Sequence, residues 1–330
     1  MQKNNKNDTT LVSPKMLHYI ARTLRDRDID ITKDVVWRAY CPKGKIDIRW
    51  RPTFRTMKAM IERALEVSGD EDLGLDVGQH ITFGSFGLLI PALLTSKTLV
   101  EALSVGLKYQ ILTGALLSYR RGVTLDGHIF LGLRSRFTDA SIHRFLVQLE
   151  MSAFVNVAQF LSPIPQPFLK IETSFEPTDI AKQCRRWCSP IVVTRSSNRM
   201  LLKSEMLTHR LATKDSYVHA EVCTELDSIL IKETAARDLV HKVEAIFMQA
   251  LPETQTAAHV AAELGLSPRS LRRKLAESNT NYRELINRVR LDRARQRMEE
   301  GLLSQTEIAL EVGFEDPRSL RRLLKARPSN

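Results

Sequence analysis

One hexapeptide, Pro-Arg-Ser-Leu-Arg-Arg, occurs twice in the C-terminal part of the chain, at Pro268–Arg273 and at Pro317–Arg322. In a helix, the three arginines of each copy stand at positions i, i+3 and i+4, so they share one face. Arginine can donate two hydrogen bonds to O6 and N7 of guanine, or neutralise phosphate groups. The pattern therefore predicts two arginine faces that bind nucleic acid, while Leu271, Leu275, Leu320 and Leu324 form the buried stripes of the same two helices.

The residues before each copy predict a helix-turn-helix. A glycine, Gly265 or Gly313, stands where a helix must end and where the backbone favours positive φ. Ser267 and Asp316 can then cap the next helix, and a proline follows each cap at the first helical position. A helix, a glycine turn and an arginine-rich second helix have the order of a helix-turn-helix. A solvated charged face would explain one copy, but two copies with the same turn, cap and proline favour two recognition helices.

A third helical segment, Asn281–Met298, joins the two motifs and contains Arg-Leu-x-x-Ala-Arg at Arg290–Arg295. Four of its apolar residues have helical spacing and are expected to pack between the motifs: Tyr282, Leu285, Ile286 and Val289. Gly301 suits the end of this helix, and Ser304–Glu307 has the pattern of a capping box. With these features, the chain from about Arg237 to Lys325 resembles the AraC/XylS family of bacterial transcription regulators.

The resemblance implies which side chains contact DNA. Family members place two recognition helices in successive major grooves, and the first contacts bases through the residues that match Arg269, Arg272 and Arg273. The second uses the residues that match Pro317, Arg318, Arg321 and Arg322. The full set of predicted DNA-binding residues is Arg269, Ser270, Arg272, Arg273, Lys274, Pro317, Arg318, Arg321, Arg322 and Lys325.

The sequence departs from the family after the second motif. Family members usually continue with a further closing helix, whereas this sequence ends at Arg327–Asn330. Leu323 and Leu324 also replace the more usual small and aromatic residues. We therefore expect the second motif to be less well supported than the first.

The overall charge favours a polyanionic partner, since the net charge is +11 and the pI is about 9.6. Only +4 of this charge lies from Arg237 onward, where 17 Lys and Arg stand against 13 Asp and Glu. The placement of the arginines is therefore more informative than the net charge.

The cysteines are interpreted as reduced structural residues. Cys184 and Cys188 are four positions apart on a predicted helix, but no His or further Cys lies near them at zinc-ligand spacing. We predict no metal site and no cofactor. The start of the chain is polar, which predicts that there is no signal peptide. The sequence contains no run of 18 apolar residues, which predicts that there is no membrane span. We therefore expect a cytoplasmic, nucleoid-associated protein.

The first two-thirds of the chain mix helical and strand patterns. Helical spacing predicts short helices between Pro14 and Gly69, an amphipathic helix with Leu99, Leu103, Leu107 and Ile111, and a long helix from Ile142 to Val157. The other predicted elements are strands at Ala115–Arg120 and His128–Arg134 around a turn at Leu125–Gly127, a strand in which Leu169, Ile171 and Phe175 alternate, a helix at Cys184–Trp187 and a strand at Ile191–Val193. This combination predicts an α+β domain.

The segment from about Thr82 to Leu207 is similar to the arabinose-binding-like N-terminal domain of one branch of the family. The similarity rests on the glycines of Gly84–Gly87 and on the segment Ser96–Leu103. It implies effector sensing or dimerisation, but it identifies no effector and no effector-binding residue.

The predicted architecture is an α+β N-terminal effector or dimerisation domain, followed by an all-α C-terminal domain with two helix-turn-helix motifs joined by a linker helix. We expect a disordered segment over residues 1–10, the α+β domain over 11–210, a helical connector over 211–234 and the DNA-binding domain over 235–330. The helix expected from Asp215 to about Ile231 could connect the domains, form a dimer or pack in the core.

The function predicted from these features is sequence-specific DNA binding by a transcription regulator that a small-molecule effector modulates. Double-stranded promoter DNA is the expected partner; RNA polymerase, a small-molecule effector and a second copy of the chain are candidate partners, and a membrane is not. One alternative is a ligand-independent regulator whose N-terminal domain only dimerises or binds a protein.

A second alternative is an enzyme with an attached DNA-binding module, such as an alkylation-repair protein. It requires a reactive cysteine in a Pro-Cys-His-like setting, which neither Cys41 nor Cys188 has. The histidines and carboxylates of the N-terminal part also show no catalytic spacing. The sequence therefore predicts that the protein is not an enzyme.

Overall fold

The fold was analysed in a computed structural model that describes residues 12–41, 44–47, 50–135, 141–161, 166–194, 196–203, 209–278, 280–300 and 303–325. The predicted disordered segment 1–10, Gly301 and the last residues of the chain lie outside these ranges. Contacts divide the chain into two compact units, one covering Leu11–Leu230 and the other beginning at Ile231. We call them the N-terminal unit and the C-terminal unit.

The described residues of the N-terminal unit contain eight complete α-helices and one sheet. The helices are α1 (Lys15–Arg25), α2 (Val35–Tyr40), α3 (Phe54–Ser68), α4 (Leu73–Gln79), α5 (Leu89–Thr95), α6 (Leu99–Lys108), α7 (His143–Leu161) and α8 (Ile180–Trp187). Four of them begin at side-chain caps, because Asp34, Thr53, Thr98 and Asp179 accept hydrogen bonds from backbone N–H groups of the first turn.

The sheet has five strands, β1 (Leu117–Val123), β2 (Ile129–Ser135), β3 (Phe168–Thr173), β4 (Ile191–Val193) and β5 (Asn198–Leu202). Their spatial order is β1-β2-β5-β3-β4. β3 and β4 are parallel and α8 forms their crossover, whereas every other pair is antiparallel. The β1–β2 hairpin turns at Gly127, whose φ of +81° favours glycine. The predicted α+β class is confirmed.

Three details differ from the sequence-based expectations. Helix α6 ends at Lys108, so Ile111 lies in a separate 3-10 turn, Gln110–Thr113. Strand β3 buries Phe168 rather than Leu169, because a bulge near Phe168 shifts the side-chain alternation. Strand β5 was not predicted, although it joins the two halves of the sheet.

The core of the N-terminal unit packs α1, α3, α4 and α7 against the sheet. Its two buried tryptophans also satisfy their ring N–H groups, since Trp37 donates to the Met60 carbonyl at 3.1 Å and Trp187 to the Ser152 hydroxyl at 2.9 Å. Buried Asp72 accepts hydrogen bonds from Thr178, Arg144 and Gln148. Burial alone would raise the pKa of Asp72, but these hydrogen bonds hold it below its usual value.

The helices α4 and α7 approach closely because α4 presents two glycines to its neighbour. A Cβ atom added at Gly74 would overlap the Phe145 carbonyl of α7, and one added at Gly78 would overlap the Leu149 carbonyl. The backbone contact therefore requires the absence of a side chain at both positions.

The C-terminal unit is entirely helical in its described part. A long helix, α9 (Ser216–Ala250), begins in the N-terminal unit and ends in this one. It is followed by α10 (Ala257–Glu263), α11 (Pro268–Glu277), α12 (Tyr282–Glu300), α13 (Gln305–Glu311) and α14 (Pro317–Lys325). The expected helix near Asp215–Ile231 thus continues well beyond its predicted end.

Each half of α9 contributes to a different core. Leu226 packs with α5 and α6 in the N-terminal unit. Val243 and Phe247 are fully buried in the core of the C-terminal unit, with Val260 and Leu271. The periodic apolar residues of the first half therefore serve core packing, one of the three roles considered for them.

No helix within the described ranges is long and apolar enough to cross a membrane. The four cysteines are free thiols.

The close approach of α4 and α7 leads to a stability prediction. Gly74→Ala should lower the free energy of unfolding by about 1–3 kcal/mol, since the added methyl group meets backbone that cannot move easily. Gly106→Ala is the matched control on α6, where the added Cβ would lie 3.8 Å from Leu93. The control should raise the stability by about 0.5–1 kcal/mol, because alanine favours a helix. Urea unfolding of both variants tests this, and equal effects would contradict the packing described.

Candidate nucleic-acid interface

The first helix-turn-helix consists of α10 and α11, and its local signals act as predicted. Gly265 has a φ of +66° at the turn. The Ser267 hydroxyl accepts a hydrogen bond from the Ser270 N–H at 3.1 Å, and Pro268 occupies the first turn of α11. These contacts fix the start of α11 and hence the positions of its side chains.

The second helix-turn-helix consists of α13 and α14. Ser304 and Glu307 form a complete capping box at the start of α13, as predicted. After the turn at Gly313, where φ is +82°, Asp316 accepts from the Arg318 N–H at 2.6 Å and the Ser319 N–H at 3.0 Å. The Ser319 hydroxyl and these backbone groups hold the pKa of Asp316 below its usual value, so this cap is charged at neutral pH.

Both recognition helices bury leucines and expose arginines. Leu271, Leu275 and Leu320 are buried, and Leu324 is half-buried against the same core as Leu320. The opposite faces are exposed to solvent and carry Arg269, Arg272, Arg273, Lys274, Arg318, Arg321 and Arg322. The predicted orientation of the two helices is therefore confirmed. The side chain of Lys325 lies outside the described part of the structure.

Most of these exposed side chains make no side-chain contact of their own with the described residues. Arg273 pairs with Glu277 at 2.7 Å, and Arg321 donates to Gln305 at 3.2 Å. The structure shows neither a side-chain hydrogen bond nor an ion pair with any described residue for Arg269, Arg272, Lys274, Arg318 or Arg322. Four arginines and one lysine therefore present donors that a ligand outside the chain can satisfy.

Two of the predicted site residues also belong to the start of a recognition helix. Ser270 is half-buried, and its hydroxyl oxygen accepts from the Ser267 hydroxyl at 2.9 Å. Pro317 is half-buried at the first position of α14. Both lie at the start of a recognition helix and help to form that helix start.

Sequence reasoning did not anticipate the role of the linker-helix arginines. Arg293 and Arg297 both pair with Glu311 of α13, at 3.0 and 2.6 Å. Arg288 pairs with Glu244 of α9 in a largely buried position. These arginines therefore connect helices within the unit, and the Arg-Leu-x-x-Ala-Arg pattern at Arg290–Arg295 specifies none of the three.

Arg290 joins the linker helix to the second turn. Its guanidinium group lies 4.9 Å from the centroid of the Phe314 ring and donates to the Thr254 hydroxyl. Burial lowers the pKa of Arg290 from its usual value, although arginine stays charged at neutral pH. The charge is thus used for a cation–π contact inside the fold.

Two sequence families match this chain. Residues 49–211 match the family described as the arabinose-binding domain of AraC transcription regulators, N-terminal, and residues 260–327 match a helix-turn-helix domain family. The chain belongs to the AraC family of transcription regulators. It is an AraC-type DNA-binding regulator with an arabinose-binding-like N-terminal domain, which confirms the resemblance inferred from the two repeated motifs.

Two curated relatives and one solved structure are similar to this chain. The chain is 25% identical over 280 residues to the ornithine utilization regulator of Pseudomonas aeruginosa, covering 83% of this chain and 81% of that protein. An uncharacterised HTH-type transcriptional regulator of Mycobacterium tuberculosis is 24% identical over 227 residues, or 67% of this chain and 65% of that protein. The crystal structure of the transcriptional regulator CdpR from Pseudomonas aeruginosa shares the fold, with a TM-score of 0.50, 21% identity and 94% of each chain covered.

The two turn glycines should differ in how well they tolerate a side chain. A Cβ atom at Gly313 would overlap the Pro252 carbonyl and approach Arg290, whereas one at Gly265 meets open space. Gly265→Ala should cost about 1–2 kcal/mol of stability, from positive φ alone. Gly313→Ala has the same unfavourable φ and also brings the added Cβ against the Pro252 carbonyl, so it should lower the free energy of unfolding by about 1–3 kcal/mol more. Denaturant unfolding of the two variants measures the difference, and equal losses would be inconsistent with the packing of the second turn.

Proposed function

We propose that this AraC-family regulator reads a promoter site through both recognition helices, α11 and α14. The observation that carries the proposal is the contrast between two sets of arginines in one unit. The linker-helix set is held by Glu244, Glu311 and Phe314, whereas most of the recognition-helix set is exposed without partners among the described residues. Exposed guanidinium groups beside a buried leucine stripe suit insertion into a major groove.

The roles within the interface follow from side-chain position and chemistry. We assign base contacts to Arg269, Arg272 and Arg273 on α11, and to Arg318, Arg321 and Arg322 on α14. Lysine is a point charge without the planar fork of arginine, so we assign Lys274 and Lys325 to phosphate contacts. Ser270 and Pro317 lie near the helix starts, where phosphate oxygens approach the backbone N–H groups.

We propose that the three predicted segments of the chain have different functions. Residues 11–210 would sense an effector or dimerise, residues 211–234 would connect, and residues 235–330 would bind DNA. Two motifs in one domain allow a single chain to bind an asymmetric site, so the first part would control binding rather than read bases. We include RNA polymerase, a small-molecule effector and a second copy of the chain as partners, and a bacterial nucleoid as the place of action.

We further propose that the protein has no catalytic activity. A repair enzyme would need a reactive thiolate, whereas Cys41 is buried and burial raises its pKa to about 11. Burial also raises the pKa of Cys223. Both shifts disfavour the nucleophilic form of the thiol.

The contribution of one arginine can be separated from that of charge alone. Arg272→Ala should weaken binding to the preferred site by about 1–3 kcal/mol and relax base choice at one position. Arg272→Lys keeps the charge but loses the bidentate geometry, so it should relax base choice while it largely retains the salt dependence. Arg283→Ala is the matched control, because Arg283 is equally exposed but belongs to α12 rather than to a recognition helix. Selection of bound sequences from a random DNA pool measures all three variants.

An outcome in which Arg283→Ala relaxed base choice and Arg272→Ala did not would overturn the assignment. Leu271→Ala provides a second comparison, because Leu271 is fully buried. It should lower the stability of the unit by about 2–5 kcal/mol. Arg272→Ala should change stability by no more than about 0.5 kcal/mol, because it is an exposed position.

The salt dependence of binding tests how many cationic contacts form. The affinity of the full chain for its preferred duplex should fall linearly with the logarithm of salt concentration, because each neutralised phosphate releases counterions. Lys274→Ala should reduce this slope by about one and weaken binding to all sequences equally. Fluorescence anisotropy at several salt concentrations gives the slope; a slope near zero would rule out the phosphate contacts assigned here.

A further inference from the structure

One face of the five-stranded sheet is directed away from the core of the N-terminal unit. On β2, Leu131 and Leu133 belong to that core, so the alternate residues Phe130, Gly132 and Arg134 lie on the opposite face, which we call the outer sheet face. The strand register places further residues on the outer sheet face: Ser118, Arg120 and Gly122 of β1, Arg199 and Leu201 of β5, Lys170 and Glu172 of β3, and Val192 of β4.

The outer sheet face is strongly basic. Among its described side chains, four are cationic and one is anionic: Arg120, Arg134, Lys170 and Arg199 against Glu172. Each of the four cations comes from a different strand, so the positive charge spreads across the sheet. Arg120 and Arg134 are exposed, whereas Lys170 and Arg199 are half-buried.

The single carboxylate of this face is fully engaged by two of the cations. Glu172 is only 4% exposed and accepts from Arg199 Nε at 2.7 Å and from Lys170 Nζ at 3.1 Å. Burial alone would raise the pKa of Glu172, but Arg199 and Lys170 hold it below its usual value. Neither Arg120 nor Arg134 forms an ion pair with any described residue. Glu172 therefore orders two cations and leaves the charge of the other two uncompensated.

An aromatic ring orders the guanidinium groups further. Phe130 lies over two glycines, because a Cβ atom added at Gly122 would overlap its ring and one added at Gly132 would lie 3.2 Å from it. The guanidinium groups of Arg120 and Arg199 lie 5.9 and 4.9 Å from the centroid of this ring. Side chains that are already held in place lose less freedom when a partner binds. The outer sheet face is thus a prepared cationic surface.

The charge and extent of this surface suit a polyanion. A single small anion would engage one or two of these cations, whereas charges on four neighbouring strands fit a repeating row of phosphate groups. Of the net charge of +11, +4 lies from Arg237 onward, so +7 belongs to the first 236 residues. Because the chain is a DNA-binding regulator, duplex DNA is the polyanion that it meets in function.

We propose that the outer sheet face is a second DNA-contact surface, which binds the phosphate backbone of duplex DNA through Arg120 and Arg134, with Lys170 and Arg199 beside them. The inference goes beyond base reading by α11 and α14, because phosphate contacts add affinity without adding sequence information. The N-terminal unit then contributes directly to DNA affinity as well as to its control.

Charge removal at this face tests the proposal in the full chain. Arg120→Gln combined with Arg134→Gln should reduce the salt slope by about two, one for each lost phosphate contact. The affinity that is lost between about 50 mM and 200 mM salt should therefore be about tenfold smaller than for the unmodified chain. Fluorescence anisotropy measures this with a duplex that extends beyond the preferred site at both ends.

The matched control removes two arginines from the helices of the same unit. Arg25 on α1 and Arg38 on α2 are exposed and form no ion pair with the described residues. Arg25→Gln combined with Arg38→Gln changes the net charge equally and should leave the salt slope unchanged. Arg134→Gln alone should lower the slope by about one. Since the side chain of Arg134 contacts no described residue, this variant tests the charge even if Arg120→Gln disturbs the packing of Phe130.

Sequence preference separates this inference from the proposed base reading. The sheet-face variants should weaken binding to the preferred duplex and to a scrambled duplex by the same factor, because phosphates are common to both. If Arg272→Ala relaxed base choice while the sheet-face variants kept the original slope, base reading would stand and this inference would fail. If the sheet-face variants lowered the slope while Arg272→Ala left base choice unchanged, the reverse would hold.

Two further results would overturn the proposal. An equal loss of slope in the control pair would show that net charge alone, and not this face, determines the effect. Unchanged DNA binding by the sheet-face variants, together with lost regulation in a purified transcription reaction, would assign the face to an acidic protein surface instead of DNA.

Discussion

The linker helix α12 is the element on which the DNA-binding unit depends. Its first half buries Leu285 and Val289 against the first motif and α9, and its second half buries Ala294 against the second motif. Ionic contacts on the same helix fix its rotation, since Glu311 accepts from two of its arginines. Because both motifs pack on one rigid helix, the separation of the recognition helices is set by α12 rather than by a flexible connection. A fixed separation is what allows two helices to enter successive grooves.

The two motifs repeat one sequence but have different surroundings. The first motif belongs to a core that also includes Val243 and Phe247 of α9, whereas the described core of the second consists of α12, α13 and α14. The turn at Gly265 meets open space, but the turn at Gly313 lies against Pro252 and Arg290. The second motif is therefore held more by its turn and its ion pairs, and the first by apolar burial.

Much of the C-terminal unit could be predicted from sequence because its signals are local. A glycine, a cap and a proline within a few residues specify where each recognition helix begins. The uses of the linker arginines were not predictable, because their partners Glu244 and Glu311 are brought near only by the fold. In the N-terminal unit the same limit applies to β5, which is short and depends on pairing with distant strands. The bulge in β3 likewise inverts the side-chain alternation on which the interpretation of Leu169 relied.

Family membership and ligand chemistry are carried by different residues in this protein. The match over residues 49–211 concerns the helices and strands that form the domain, and these can be shared by proteins that bind different molecules. Ligand choice depends instead on the few side chains that line a binding site. The similarity in fold therefore supports a sensing domain, and the chemistry of the ligand is a matter of those side chains rather than of the fold.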